Sequence, residues 1–345
     1  MLTSPGVHSS SGWTGGQYSV CRALLGLTIV LRIVSVVATW QSGWDATGSG
    51  AAIVAGLNVA VLVLAAGAFA AALLFAAGWR DRLMAVLLLL LLPIVVVLAG
   101  TPVSPGGWGV AWLLLTHLAI PAAPYGSWEA RGRTDPRGPW RMPAALPWLH
   151  RLAFVTLAVV LFSRGARAFD LAVAFILALL AFDPGWIPGS IETGTNAARA
   201  RDARRRMASA DPDTLFYDGT CGLCHGAVRF FLAEDATGPH LRFGTLQGKS
   251  FHRAVPAQER TALPDSLVLV TRSHEVLTRS RGVFRALAEL GGYWRVLAGV
   301  SGVLPVRLAD AAYDAVARVR HRLFRRPEEA CPLVPEDLRG RFLPD

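Results

Sequence analysis

Residues 51–78 read AAIVAGLNVAVLVLAAGAFAAALLFAAG, without one charged side chain. No other feature limits the fold so strongly. Crossing the hydrocarbon core of a bilayer takes about 20 predominantly apolar residues in a helix, and this run is long enough to cross at a tilt. Similar runs surround it. Residues 21–40 fit a span although Arg22 and Arg32 interrupt them, and residues 83–100 follow, with Pro93 as a candidate kink. Residues 107–124 make a shorter fourth run. Residues 146–162 make the weakest, because His150 and Arg151 lie near its start, and residues 168–187 make a sixth. The expectation is a membrane all-α half of about six transmembrane helices.

The rest of the chain is different. Most charge lies after Ala197, and the overall apolar fraction of 53% is carried largely by the first half. A soluble chain usually has roughly 45–50% even with glycine counted. The pattern predicts a polytopic domain over 1–195, a basic linker over 196–212 and a second domain over 213–345. The linker, Ala-rich and arginine-rich, suits a surface helix against anionic headgroups, so membrane lipid is an expected partner.

The net charge of +10 comes almost entirely from arginines beside apolar segments. That placement favours a membrane surface. With no zinc-finger spacing and no basic stripe interleaved with aromatics, nucleic acid is not an expected partner. Arg80 and Arg82 follow the second run, Arg131, Arg133, Arg137 and Arg141 the fourth, and Arg199, Arg201, Arg204, Arg205 and Arg206 the sixth. The loops after the first and third runs have no basic residue, whereas Arg164 and Arg167 after the fifth break the pattern. Positive loops stay cytoplasmic, so both termini and the second domain are expected inside the cell membrane. The N-terminus has no signal-peptide layout. Tryptophans 40, 44, 79, 108, 128, 140, 148 and 186 read as interfacial anchors. Arg32, Asn58 and His117 lie inside runs and are either functional or hydrogen-bonded between helices.

Within the second domain the apolar pattern alternates. Residues 214–217 read as a strand, 224–234 as a helix, 241–243 as a strand and 250–260 as a helix. Residues 266–270 (SLVLV) and 275–278 read as a strand pair, and 283–290 and 305–324 as helices. This order is that of an α/β thioredoxin-like domain, a small sheet with helices on both faces.

Between the first strand and helix lies FYDGTCGLCHGAV, residues 216–228. A CxxC pair near a βαβ pattern reads as a redox motif. Cys221 at a helix N-terminus would have its thiolate stabilised by free N–H groups and the helix dipole. Cys224, one turn on, can reach back. Cys221 is then the nucleophile and Cys224 the resolving thiol, and the redox-active Cys221–Cys224 disulfide is the only cofactor expected. Gly219 and Gly222 allow a tight turn and keep side chains clear of an incoming disulfide. Asp218 either shuttles a proton to the resolving thiol or caps the helix. His225 reads as a solvent-facing helix residue, with easing of thiolate formation as its alternative role. Half of a zinc site is the competing reading of the cysteines, but Cys21 and Cys331 stand apart and His240, His252 and His274 are scattered. No metal is expected.

YDGTCGLC followed by HGAVRFF resembles the start of the DCC family of thiol-disulfide oxidoreductases, named for an Asp-x-x-Cys-x-x-Cys pattern that Asp218, Cys221 and Cys224 match. The resemblance continues through LPDSLVLV, RSRGVFRALAELGG and LPVRLADAAYDAVARVRHRLF, over about residues 213–324. It implies a thioredoxin-like domain and disulfide exchange. In such folds a cis-proline lies beside the active cysteines. Pro264 is the candidate, although Asp265 and Ser266 separate it from the strand. Arg281 and Gly282 replace a small acidic residue and alanine. The first half looks broadly like the helical segments attached to some such domains, without a shared motif.

The leading expectation is a membrane-anchored thiol-disulfide oxidoreductase of the protein-disulfide reductase type. It would face the reducing cytoplasm and act on a protein or small-thiol disulfide. The alternatives are a transporter or sensor gated by a thioredoxin-like redox switch, and a metal-binding membrane protein.

Overall fold

The computed structural model describes residues 13–47, 52–133, 135–136, 140, 142–143, 145–165, 167–181, 212–235, 240–323 and 336–344. The chain forms two compact units. The first contains helices α1 (Gly15–Thr47), α2 (Ala52–Ala77), α3 (Asp81–Leu98), α4 (Pro105–Leu118), α5 (Ala145–Arg164) and α6 (Ala168–Ala181). Each of the six apolar runs is helical over most of its described residues, the fourth giving way at Ala119. Among the described residues, four segments are by themselves long and apolar enough to cross a membrane: Gly15–Gln41, Asn58–Ala77, Asp81–Leu98 and Ala145–Ser163. α4 and the described part of α6 have 14 residues each, short of the roughly 20 a span needs. Residues 182–187 of the sixth run, and the linker before Pro212, lie outside the described residues.

The run read as weakest, α5, is one of the four. Two of its polar residues are held inside the helical unit. His150 is buried with its Nε2 3.2 Å from Thr116 Oγ1 of α4. Arg151 donates through Nε to the Ala181 carbonyl at 2.7 Å. The outward faces remain apolar, with Leu31, Val63, Leu90, Val97, Val159 and Phe162 exposed.

Small residues bring the helices together, as is usual where apolar helices associate. A Cβ on Gly26 of α1 would lie 2.7 Å from Ala76 Cβ of α2. Beside this contact sits a buried polar cluster. Arg22 Nη1 donates to Asp81 Oδ2 at 3.4 Å, and His117 Nε2 lies 3.7 Å from the same oxygen. His117 Nδ1 meets the Tyr18 hydroxyl. His117 thus belongs to an interhelical hydrogen-bonded group rather than standing alone. Arg32 places its guanidinium 5.2 Å from the Phe169 ring centre, at an apolar cavity of about 180 Å³ bordered by Leu88, Leu92 and Trp108. Trp108, Trp128 and Trp148 are exposed, as anchors would be. Trp140 is not: it is buried and stacks on Tyr18.

The second unit is built on a four-stranded sheet. Its strands are β1 (Asp213–Tyr217), β2 (Leu241–Thr245), β3 (Val268–Val270) and β4 (Val276–Thr278), in the order β2-β1-β3-β4. β1 runs parallel to β2 and antiparallel to β3, and β4 is antiparallel to β3. Alternation along β1 sends Leu215 and Tyr217 to one face and Phe216 to the other. The first face packs against α7 (Gly222–Glu234) and α10 (Arg279–Leu290), through Val228, Phe231, Leu232, Ala286 and Leu290. The second packs Phe216 with Phe251 and Val255, at and beside α8 (Lys249–Ala254).

The single helix expected over 250–260 is two short ones, α8 and α9 (Ala257–Arg260), interrupted at Val255 and Pro256, where proline supplies no N–H to continue the ladder. Two further helices follow, α11 (Gly292–Ser301) and α12 (Val306–Leu323). After α13 (Glu336–Arg339) the chain pairs with the edge of β2: Phe243 N–H donates to the Arg341 carbonyl at 2.9 Å, and Leu343 N–H to the Phe243 carbonyl at 2.8 Å. Gly282 has a packing reason. A Cβ there would lie 2.9 Å from Leu267 Cδ1 and 3.2 Å from the Leu277 carbonyl, so glycine lets α10 lie close on the β3–β4 pair.

Removing one partner of a buried ion pair leaves an uncompensated charge, which costs about 3–5 kcal/mol. Asp81→Ala is expected to destabilise the helical unit by that order, read as a lower thermal midpoint in detergent. The double variant Arg22→Leu/Asp81→Leu should recover much of the loss.

Candidate functional site

β1 ends at Tyr217, and after four intervening residues the chain enters α7. The turn between them is held locally. Cys221 N–H donates to the Asp218 carbonyl at 3.2 Å. Asp218 Oδ1 accepts from the Thr220 N–H at 2.9 Å and the Thr220 hydroxyl at 2.8 Å, an Asx-type turn. Gln247, beyond β2, adds a bond from its Nε2 to Asp218 Oδ1 at 3.3 Å and accepts the Gly219 N–H at 3.4 Å.

The N-cap of α7 is Cys221. Its sulfur accepts the Cys224 N–H at 3.4 Å. One of the free donors of the first helical turn therefore points at the sulfur, which favours negative charge there. Asp218 is not the helix cap; its carboxylate is spent on the turn. Burial would raise the Asp218 carboxyl. The Thr220 N–H and hydroxyl, the Gln247 amide and the Arg320 charge outweigh burial and hold it below the usual carboxylate range. A carboxylate held so low is a weak proton acceptor at neutral pH.

The two thiols are unequal. Cys221 is 1% exposed, whereas Cys224 is half-buried. Burial pushes the Cys224 thiol up to about 12, helped by its hydrogen bond with Cys221 and the charge there. His225 is buried, contrary to its reading as a surface residue. Its Nε2 donates to the Gly219 carbonyl at 2.9 Å, and its ring meets Tyr217 edge-on. It fastens the cysteine turn to the helix. Neither Gly219 nor Gly222 has a positive φ, so the turn does not demand glycine for its backbone. A side chain on Gly219 would meet Thr245 at ordinary contact distance.

Sequence reasoning missed Arg320 of α12. Its side chain is 4% exposed. Nη2 lies 2.6 Å from Asp265 Oδ1 and 3.8 Å from Asp218 Oδ2, and Nη1 donates to the Asp265 carbonyl at 3.4 Å. Its charge acts on Cys224, in the direction that favours the thiolate. The Tyr313 hydroxyl, on the same helix, accepts the Leu267 N–H at 3.0 Å. α12 thus clamps the loop before β3 and carries a cation to the cysteine turn. Only the arginine-rich look of residues 318–322 marked the position in sequence, and that reads as a solvated face. Pro264 belongs to the clamped loop. No cis peptide bond occurs among the described residues, so Pro264 is trans, unlike the proline expected beside such cysteines.

Among the described residues no three His, Cys, Asp or Glu side chains converge as metal ligands would. Cys21 is buried in α1, and Cys331 lies outside the described residues.

A family model, DCC1-like thiol-disulfide oxidoreductase, matches residues 215–326. The uncharacterized protein YuxK of Bacillus subtilis (strain 168) is 31% identical over 134 residues, 38% of this chain and 93% of that one. The chain belongs to the DCC1-like thiol-disulfide oxidoreductase family. A chloroplastic DCC family protein of Arabidopsis thaliana is 25% identical over 119 residues, 34% of this chain and 68% of that one. No solved structure matches. The DCC1-like segment begins within β1 at Leu215 and takes in the cysteine turn, β2–β4 and Arg320, whereas α1–α6 lie outside it.

Arg320→Ala is expected to move the pH profile of Cys224 alkylation upward by on the order of one unit, about tenfold slower labelling at fixed pH. Arg320→Lys should restore part of it. In the parent protein Cys224 should label appreciably only well above pH 9, because its thiol lies near 12.

Proposed function

We propose that the protein is a membrane-anchored thiol-disulfide oxidoreductase that works as a reductase on the cytoplasmic side. The observation that carries this reading is the N-capping sulfur of Cys221, one helical turn from a second thiol, in a DCC1-like domain. The Cys221 thiolate attacks one sulfur of a substrate disulfide, forming a mixed disulfide and expelling the other sulfur as a thiolate that takes up a proton. Cys224 then loses its proton and attacks the Cys221 sulfur. The second substrate thiol leaves, and Cys221 and Cys224 close a disulfide. The substrate has gained two electrons, and a cellular dithiol or small thiol returns the pair to its reduced form.

Each neighbour has a place in this sequence. The low-lying Asp218 carboxylate fixes the turn, the high Cys224 thiol keeps its proton until the mixed disulfide has formed, and Arg320 favours the Cys224 thiolate when that proton leaves. The burial of Cys221 requires the turn to open for a substrate. A protein or small-thiol disulfide is the proposed substrate. Anchoring is supported by the four long apolar helices with outward apolar faces. The cytoplasmic orientation is supported by the arginines of the loops after the second and fourth runs and in the linker.

Thiol trapping across a glutathione redox series tests the reading. Cys221 and Cys224 should interconvert as one two-electron couple. Cys224→Ser should accumulate a mixed disulfide with glutathione, and Cys221→Ser should form none. If the Cys224→Ser protein stays unmodified while the parent oxidises, Cys221 is not the nucleophile.

A further inference from the structure

Helices normally turn their apolar faces inward. α11 and α12 do the reverse where they meet. The small Ala298 and Ala309 and the charged Arg320 are buried, while Val296, Leu297, Val300, Val303, Leu304 and Val306 are exposed, Val303 at 85%. The two helices are bent by 112° at the break between them, so these side chains gather on one elbow. A contiguous exposed apolar surface marks an interaction site.

Three features of the chain identify what covers it. Residues 296–306 contain no charged side chain and are bracketed by Arg295 and Arg307, both exposed. That stretch is far shorter than the roughly 20 residues of a span, and the bend excludes a straight crossing. Among its described residues the same polypeptide carries four helices able to cross a bilayer, and its sequence before β1 holds Arg199, Arg201, Arg204, Arg205 and Arg206. An apolar tip flanked by cations suits a surface whose interior is hydrocarbon and whose headgroups are negative. Arginine can then lay its stem along the apolar edge and keep its charge at the headgroups.

We propose that the α11–α12 elbow dips into the surface of an anionic lipid bilayer, with Val300, Val303 and Leu304 at hydrocarbon depth and Arg295 and Arg307 at the phosphates. This contact is separate from the cysteine chemistry. It would give the second unit a hold on the membrane besides its covalent tether.

The test uses the full chain in nanodiscs of phosphatidylcholine, with or without phosphatidylglycerol. The photo-crosslinking residue p-benzoylphenylalanine replaces Val303 or, as a control on an exposed position of α9, Glu259. Illumination and mass spectrometry should find lipid adducts at 303 and none at 259. Arg295→Ser with Arg307→Ser should cut the 303 adduct, roughly fivefold for each arginine, in the phosphatidylglycerol discs and leave it unchanged in phosphatidylcholine alone. Crosslinks from 303 to this chain, to a second copy or to another protein would overturn the proposal. So would an unmodified residue at 303, or an adduct indifferent to the arginines. The Cys221–Cys224 couple, titrated in the same discs, reports separately on the redox reading.

Discussion

The guanidinium of Arg320 loses its water when α12 packs down, and two aspartates replace it: Asp265 at 2.6 Å and Asp218 at 3.8 Å. A buried cation without such partners would cost several kcal/mol. The position of each partner is therefore constrained by the charge it serves. Asp265 sits just before β3, so the clamp sets how α12 lies on the sheet. Asp218 sits at the end of β1, so the same charge reaches the turn that presents the cysteines. The redox turn is thus coupled to a helix whose sequence begins almost ninety positions later, a coupling that no local motif describes.

The helical unit obeys the same electrostatic rule with other residues. Arg22 and Asp81 meet at 3.4 Å, and His117 lies 3.7 Å from the same Asp81 oxygen. Asp81 opens α3 and Arg22 lies in α1, so the pair fixes which face of α1 turns toward α3. Close packing at Gly26 fixes the neighbouring face against α2. Charge and small size thus specify helix partners that apolar residues alone leave interchangeable.

Legibility followed locality. β1, α7 and the place of Cys221 at the helix N-terminus could be read from the sequence because an apolar run, a turn and a helix lie within about twenty consecutive residues, each with its own physical signal. β3 was legible as SLVLV for the same reason. Arg320 was not, because its burial depends on Asp265, 55 positions away. His225 read as a surface residue because nothing in its neighbours announces that Gly219 O will accept its ring N–H. Trp140 looked like an anchor because its environment, the Tyr18 ring, comes from a distant helix. Counting apolar residues does not show where a helix stops: α4 is closed at Ala119, whose N–H donates to the Thr116 and His117 carbonyls. α11 went unread because it opens at a glycine pair, Gly291 and Gly292, and glycine usually signals a loop.

The pairing of residues 341–343 with β2 joins positions about a hundred apart in sequence. Until that distant stretch has left the ribosome, one side of β2 presents unpaired N–H and C=O groups, a template to which another strand can add. β2 is also the parallel neighbour of the strand that leads into the cysteines. The nascent chain therefore carries its thiols beside an open edge for the time needed to translate the intervening residues. Chaperone or membrane-surface shielding during synthesis would have its greatest value in that interval.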